Sequence, residues 1–330
     1  MSNLTYDKIA GVLFGGAIGD ALGLPAERKT EQWCKDRYPE GGPFAYERVE
    51  RPVLGEVFEA GDWSDDTDQA LILVDSWLEH HKLVPTDIAA RLLVWARTQK
   101  GMGGHTRKVL EHEAFATDPY RASEAIWFLA PSDRYAPNGA IMRSAVCGLM
   151  GQTPFETAQI AAGMAKVTHF DPRCTLSAAI VAVAVHHLTR GMTSISDAVD
   201  QGYEEAESLT VAEDWRMPIH EAYDDECNNN GAPLDNTDQG FTFTTLRAAV
   251  SHAEVLDRMM PRPEETSMVV GLSLAALIRK GGDADTNAAV CGALMGARVG
   301  LGGLPLSLTS TLRQPYELER RALALERLHK

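Results

Sequence analysis

Residues 173–189 read RCTLSAAIVAVAVHHLT, and the choice between helix and strand for this run decides the fold class. Its isoleucine and valines suit a strand. Its length of 17 residues does not, since strands usually run roughly 3–10 residues. Alanines fill the spaces between the branched residues, and Gly191 follows as a stop. The run reads as a helix.

The same period extends outward along the chain. From Asp66 to Glu79, Ala70, Leu73, Val74, Trp77 and Leu78 recur at steps of three and four. Thr153-Pro154-Phe155-Glu156 reads as a capping box with proline at the first helical position, opening a helix to about Val167. Further helices are expected at about 5–22, 87–99, 123–130, 140–150, 196–209, 243–260, 264–280, 286–300 and 315–329. Thr242-Phe243-Thr244 is the best short strand candidate. The polar, turn-rich segment Tyr223 to Gln239 reads as a surface loop rather than a linker. The expectation is an all-α fold: a compact single-domain orthogonal bundle of about a dozen helices spanning residues 1–330.

Composition narrows the function. The chain has 330 residues, 45% of them hydrophobic and 23% charged, which suits a folded globular protein. Lys and Arg number 31 against 46 Asp and Glu, a formal charge of −15. General nucleic-acid binding needs the opposite sign, so it is not expected. An anionic ligand can still be met by metal ions or helix N-termini. The five cysteines, Cys34, Cys147, Cys174, Cys227 and Cys291, form no C-x-x-C pair, which suits a reducing cytoplasm. No uncharged apolar run reaches the roughly 18 residues of a membrane span, and neither a membrane nor a signal segment is expected.

Two glycine stripes stand out. Gly11, Gly15, Gly19 and Gly23 recur at steps of four in the first helix, and Gly292, Gly296 and Gly300 do so near the end. Glycine inside a helix costs about 1 kcal/mol against alanine, so such a stripe needs a compensating close approach. Tight packing of each helix is expected, with packing against each other as one arrangement of it.

Two polar clusters stand directly before apolar helices: Ser64-Asp65-Asp66-Thr67-Asp68, and Gly281-Gly282-Asp283-Ala284-Asp285-Thr286. Capping explains one or two oxygens in each. The remaining carboxylates exceed that need. Oxygen-only donors suit a hard cation such as Mg²⁺, Mn²⁺ or Ca²⁺ rather than zinc. Asp65 and Asp66 point about 100° apart on a helix and can serve two different ions.

The other candidate segments carry weaker signals. Glu27 follows Gly19-Asp20-Ala21-Leu22-Gly23-Leu24-Pro25-Ala26 in a short loop and is a candidate acid or base. Gly101-Met102-Gly103-Gly104-His105-Thr106 reads as a flexible loop whose N–H groups can approach phosphates. Asn138-Gly139-Ala140-Ile141-Met142-Arg143 and Thr168-His169-Phe170-Asp171-Pro172-Arg173 are polar knots between apolar helices.

Taken in order, GDALG…E, SDDTD, NGAIMR, THFDPR and GGDADTNAAVCGALMGA resemble the ADP-ribosylglycohydrolase family, over about Tyr6 to Leu312. The resemblance implies an all-α fold with a binuclear Mg²⁺ centre, Mn²⁺ being the alternative. It also implies hydrolysis of the bond joining ADP-ribose C1″ to an acceptor. Arginine-linked protein substrates are favoured, and small ADP-ribosyl compounds are included. Carried over, the metal ligands would be Ser64, Asp65, Asp66, Asp283, Asp285 and Thr286, with Glu27 catalytic. Gly103, His105, Asn138, Gly139 and His169 would contact substrate. One departure is visible: the loop at 101–106 lacks the acidic residue usual in arginine-directed bacterial relatives. The alternatives to be weighed are a catalytically weak ADP-ribose-binding protein and a related N-glycosidase acting on another substrate.

Overall fold

The computed structural model describes residues 4–51, 55–97, 100–130, 135–209, 232–237 and 239–330. Cys227 and most of the 223–239 segment lie outside the described residues. Fifteen α-helices carry the described chain: α1 Tyr6–Gly23, α2 Glu31–Arg37, α3 Asp65–His80, α4 Pro85–Trp95, α5 Gly104–Leu110, α6 Pro119–Phe128, α7 Pro154–Lys166, α8 Pro172–Thr189, α9 Ile195–Glu207, α10 Thr242–Ala253, α11 Val255–Met259, α12 Pro263–Ile278, α13 Ala284–Val299, α14 Leu306–Thr309 and α15 Pro315–Leu328. The one sheet among the described residues is a hairpin of β1 Val49–Arg51 and β2 Glu56–Phe58, antiparallel, with Arg51 opposite Glu56. The fold is all-α, as its apolar periodicity implies.

The 173–189 run forms α8. Cys174 to His186 is buried without interruption, so this helix is surrounded on all sides by protein. The first helix has the length and hydropathy of a membrane span, yet 89% of its apolar window is buried within the protein itself. The four described free cysteines, Cys34, Cys147, Cys174 and Cys291, are all buried.

The two glycine stripes meet. A Cβ on Gly15 would overlap the carbonyl oxygen of Gly292, one on Gly11 that of Gly296, and one on Gly19 that of Ala288. Gly23 lies against the backbone of Asp285. The residues pair in opposite order along the chain, so α1 and α13 run antiparallel in backbone contact. Gly300 lies just past the end of α13, with φ of 77°, and caps it. This pairing is the axis of the core. It also carries the end of α1 to the start of α13.

Several boundaries differ from the sequence reading. The segment expected as a helix at 140–150 forms two tight 3₁₀ turns, Ile141–Arg143 and Ala145–Leu149. Gly148 is pressed against the Ala182 carbonyl of α8 there, and a short apolar run has no period long enough to separate the two helix types. Thr242-Phe243-Thr244 opens α10 and is not a strand. The helix expected at 243–260 is divided between α10 and α11 and stops where Met260 takes a left-handed φ of 43° before Pro261. The cap of α7 works as expected at Thr153, whose hydroxyl accepts from Glu156 N at 3.1 Å. The Glu156 carboxylate, however, receives Gln152 N at 2.8 Å instead of completing the box on Thr153.

Adjacent glycines test the helix contact. Gly15→Ala should destabilise the protein by about 3 kcal/mol or more, because backbone cannot move aside as a side chain can. At Gly16 a Cβ would meet its nearest atom, Ala289 O, at 3.7 Å. Gly16→Ala should therefore be neutral or stabilising by up to about 1 kcal/mol. Urea unfolding of both variants checks the contrast; equal effects would disprove the backbone contact.

Candidate active site

Three segments converge because of the α1–α13 contact. With Gly23 against Asp285, the chain turns through Leu24–Ala26 and delivers Glu27 beside the second acidic cluster. A short bridge then fixes it: Arg28 N donates to Gly282 O at 2.7 Å, and Gly282 N donates to Lys29 O at 2.9 Å. The first acidic cluster is held from the other side by Asp20. Its carboxylate, fully buried on α1, accepts from Ser64 N at 3.0 Å, Thr67 N at 3.1 Å and Thr67 Oγ1 at 2.7 Å. Asp20 thus ties the N-terminus of α3 to α1.

The carboxylates fall into two groups that share one member. Asp20, Asp66 and Asp285 bring oxygens within 4.8 Å of one another, and Glu27, Asp283 and Asp285 do the same. Asp65 lies alongside, its Oδ2 accepting from Gln69 Nε2 at 3.1 Å. Ser64 Oγ donates to Asp66 Oδ2 at 2.8 Å, whereas Asp66 Oδ1 is buried with no partner among the described residues. Burial, together with neighbouring carboxylates, pushes Asp65, Asp66 and Asp285 well above the usual range. Burial lifts Asp283 also, despite the Asn138 amide beside it, and takes Asp20 to about 6. Glu27 is raised by burial against the opposing pull of Arg51, its ion-pair partner, with Arg28 at 3.3 Å.

A buried carboxylate set of this density is unfavourable without countercharge. Arg51 and Arg28 pair with Glu27, Arg51 also lying 3.8 Å from Glu56, and none of the aspartates of this set has an arginine ion-pair partner among the described residues. The remaining oxygens, the orphaned Asp66 Oδ1 among them, make a donor set that fits hard divalent cations, and the shared Asp285 fits two adjacent positions.

These groups form the floor of a cleft of about 370 Å³. Glu27, Asp65, Asp66, Asp283, Asp285 and Thr286 line it, with Ser64 buried behind Asp66. Gly103, His105, Asn138, Gly139 and His169 form its walls. His105 is not on a flexible loop: it lies in the first turn of α5, buried, with Nε2 2.9 Å from Thr168 O. Asn138 Nδ2 donates to Asp283 Oδ2 at 2.6 Å and Thr245 Oγ1 at 2.9 Å, so its amide holds Asp283 in position. A Cβ on Gly139 would lie 2.8 Å from the His169 ring, so this glycine is what lets the ring reach the cleft. Gly101 has φ of 85°, and a Cβ there would lie 2.9 Å from Asp65 Oδ1. An acidic side chain has no unstrained place at that position.

Sequence reasoning missed Asp20 and Arg51, which stand behind the cleft's carboxylates, and three groups of its lining, Arg28, Lys108 and Tyr135. Asp20 left a signal, a lone carboxylate in the interior of an apolar helix. The cations left none, since each is an ordinary surface-type residue brought in by the fold.

A sequence profile described as ADP-ribosylglycohydrolase matches residues 1–330. The chain belongs to the ADP-ribosylglycohydrolase family, and it is a hydrolase of ADP-ribose linkages. It is similar to the ADP-ribosyl-[dinitrogen reductase] glycohydrolase of Rhodospirillum rubrum, 25% identical over 96% of this chain and 94% of that one. Over 57% of this chain and 49% of the relative, it is 26% identical to the ADP-ribosylarginine hydrolase Tri1 of Serratia proteamaculans. A solved structure titled ADP-ribosylglycohydrolase-related protein complex superposes with a TM-score of 0.69 at 27% identity, covering 98% of this chain and 99% of that one.

The carboxylates of this family member give a signed pH dependence. Asp20, Asp65, Asp66, Asp283 and Asp285 all titrate higher in the folded chain than an unfolded Asp, near 3.9. Above about pH 4 the folded chain therefore holds protons that the unfolded chain has released, so stability falls as pH rises through 6. Metal-free protein in EDTA should lose Tm steadily between pH 4.5 and 8. A Tm that is flat or rising across that window would show the cluster is not strained.

Proposed function

We propose that this family member hydrolyses the C1″ bond of an ADP-ribosylated acceptor, with arginine-linked protein substrates favoured, and that it requires two divalent cations, Mg²⁺ before Mn²⁺. One observation carries the reading: two carboxylate groups, Asp20–Asp66–Asp285 and Glu27–Asp283–Asp285, share Asp285 at the floor of a cleft. The preference for arginine linkage draws on the Serratia relative, an ADP-ribosylarginine hydrolase.

Ser64, Asp65, Asp66, Asp283, Asp285 and Thr286 would hold the cations. When bound, these supply positive charge for ribose oxygens and acidity for a water. The protein's own groups do the rest. Departure of the acceptor builds positive charge on the ribose, which the surrounding carboxylates favour. Glu27 is the proton-transfer group, because its carboxylate is part-buried, raised by burial and kept in one orientation by Arg51. Gly103 and Gly104 have no atom within 4 Å of where a Cβ would stand. A diphosphate can therefore approach this backbone closely, with Lys108 and Arg28 in the same lining. His105, Asn138, Gly139 and His169 shape the wall against the rest of ADP-ribose.

Turnover on arginine-, serine- and small-molecule-linked ADP-ribose, with products read by mass spectrometry, tests the substrate. Arginine-linked substrate should give the highest kcat/KM, and EDTA should abolish activity until Mg²⁺ is returned. Glu27→Gln should keep ADP-ribose binding and lower kcat by about 10² or more. Activity within a few-fold of wild type would remove Glu27 from the proton-transfer role.

A further inference from the structure

The polar knot Asn138–Arg143 reaches both acidic clusters. At one end, Asn138 Nδ2 donates to Asp283 Oδ2 at 2.6 Å. At the other, the 3₁₀ turn Ile141–Arg143 brings Arg143 against α3, where its Nη1 donates to Gln69 Oε1. Gln69 follows Asp65 by one turn on the same face of that helix, and its Nε2 donates to Asp65 Oδ2 at 3.1 Å. Arg143 Nη2 donates to Thr168 Oγ1 at 2.6 Å.

Donor chemistry fixes the direction of this chain. A guanidinium has no acceptor, so the Gln69 atom facing Arg143 is the carbonyl oxygen, and the NH₂ group is left to face Asp65. Turning the amide over would set N–H against N–H at one end and oxygen against a carboxylate at the other. Both ends select the same orientation. Arg143 itself is among the largest fully buried side chains, 1% exposed. Its partners among the described residues are neutral oxygens, and its Nε has none. A guanidinium buried without an ion pair is a costly way to fill a core. Asp65 is the acidic side chain that favours its charge, and Gln69 stands between the two.

We infer that Arg143 is a positioning residue for the acidic floor: through the amide of Gln69 it holds Asp65 by Oδ2 and leaves Oδ1 to the cleft. The metal half of this inference rests on the reading above that Asp65 holds a cation. Asp65 lines the cleft, and its Oδ1 lies 2.9 Å from where a Gly101 Cβ would stand, on the side of the glycine loop. An arginine placed directly on Asp65 would compete with a divalent cation for the same oxygens. One amide further away, its charge polarises the Gln69 N–H and strengthens that bond without occupying the carboxylate. With Asn138 on Asp283 and Arg143 acting on Asp65, one short turn orients a member of each cluster.

Full-length protein stripped of metal is titrated with Mn²⁺ by calorimetry. Gln69→Met, which keeps the volume and loses the donor, should weaken Mn²⁺ by about tenfold or more. Arg143→Met should weaken it by a similar factor, although Arg143 donates to none of the cluster's carboxylates. Because the two residues act in series, the double variant should be no weaker than the weaker single one. Arg143→Lys should stay within about threefold of wild type, since an ammonium also only donates. A metal-free readout runs beside the titration: the nitrogen-15 signal of the Gln69 side-chain amide, assigned by its loss in Gln69→Met. Arg143→Met and Asp65→Ala should each shift that signal, and Arg143→Lys should keep it near its wild-type position.

An unmoved Gln69 amide signal in Arg143→Met overturns the hold of Arg143 on Gln69. Mn²⁺ affinity within about twofold of wild type in Gln69→Met overturns the hold on Asp65. Additive losses in the double variant overturn action in series, and an Arg143→Lys protein as weak as Arg143→Met overturns the role of the donor. If Arg143→Met does not fold, Gln69→Met decides the metal half, and the response of the amide signal to Asp65→Ala and Arg143→Lys decides the rest. Wild type that fails to bind Mn²⁺ overturns the cation reading and the metal half with it, while the amide signal judges the chain of hydrogen bonds separately.

Discussion

Backbone contact between α1 and α13 is the constraint on which the site depends. At Gly11, Gly15 and Gly19 the facing group is a carbonyl of the other helix, with no room for even a methyl group. Side chains can repack around a small error, but backbone in contact with backbone cannot. The contact therefore fixes the register of the two helices. That register sets the end of α1 beside the first turn of α13, and with it the separation of Glu27 from Asp283 and Asp285. A fold that only needed a core would gain by filling these positions with alanine. Glycines here trade local helix propensity for a fixed position of charged groups some 260 residues apart in sequence.

The charges held in this way are mutually repulsive, and the structure contains the repulsion by distributing roles among them. Asp20 is not part of the cleft lining, and both of its oxygens accept from the backbone amides of Ser64 and Thr67. Asn138 occupies one oxygen of Asp283, Gln69 one oxygen of Asp65, and Ser64 one oxygen of Asp66. Asp283, Asp65 and Asp66 are thus each oriented through one oxygen by a neutral donor. Neutral donors orient without cancelling charge. The arginines of the site, Arg51 and Arg28, pair instead with Glu27, the residue whose proposed task is proton transfer, and Arg51 also reaches Glu56 at 3.8 Å.

Legibility in the sequence follows from the range of each interaction. α8 and α3 were readable because their apolar period is local and long. α5 was not, since two glycines precede GHTRKVL and its buried His105, Thr106, Val109 and Leu110 are polar as often as apolar. The hairpin at Val49–Arg51 escaped for a similar reason: three residues per strand carry no alternation to detect. The two acidic clusters were readable as an excess of carboxylates over what capping requires, and the glycine stripes predicted close packing. Which partner each stripe faced, and that Asp20 would knit α3 to α1, are properties of the assembled core. The same holds for Arg51, which reaches Glu27 only because β1 pairs with β2.

The cleft is then divided by charge. Its floor consists of carboxylates that suit cations and the oxygens that cations bind. Beyond it, His105, His169, Tyr135 and Asn138 offer neutral groups, and among the described residues only Lys108 and Arg28 add positive charge to the lining. A net charge of −15 would repel an anionic ligand at long range. Attraction must come from groups inside the cleft, acting within the roughly 8–10 Å over which exposed charges are felt at physiological salt. Cations bound at the floor would reverse the local sign where repulsion is greatest. On this reasoning the metals and the ligand are linked: the acidic floor admits a diphosphate-bearing molecule only when its own charge has been answered, so ligand affinity should depend on divalent cation even in a binding measurement with no turnover.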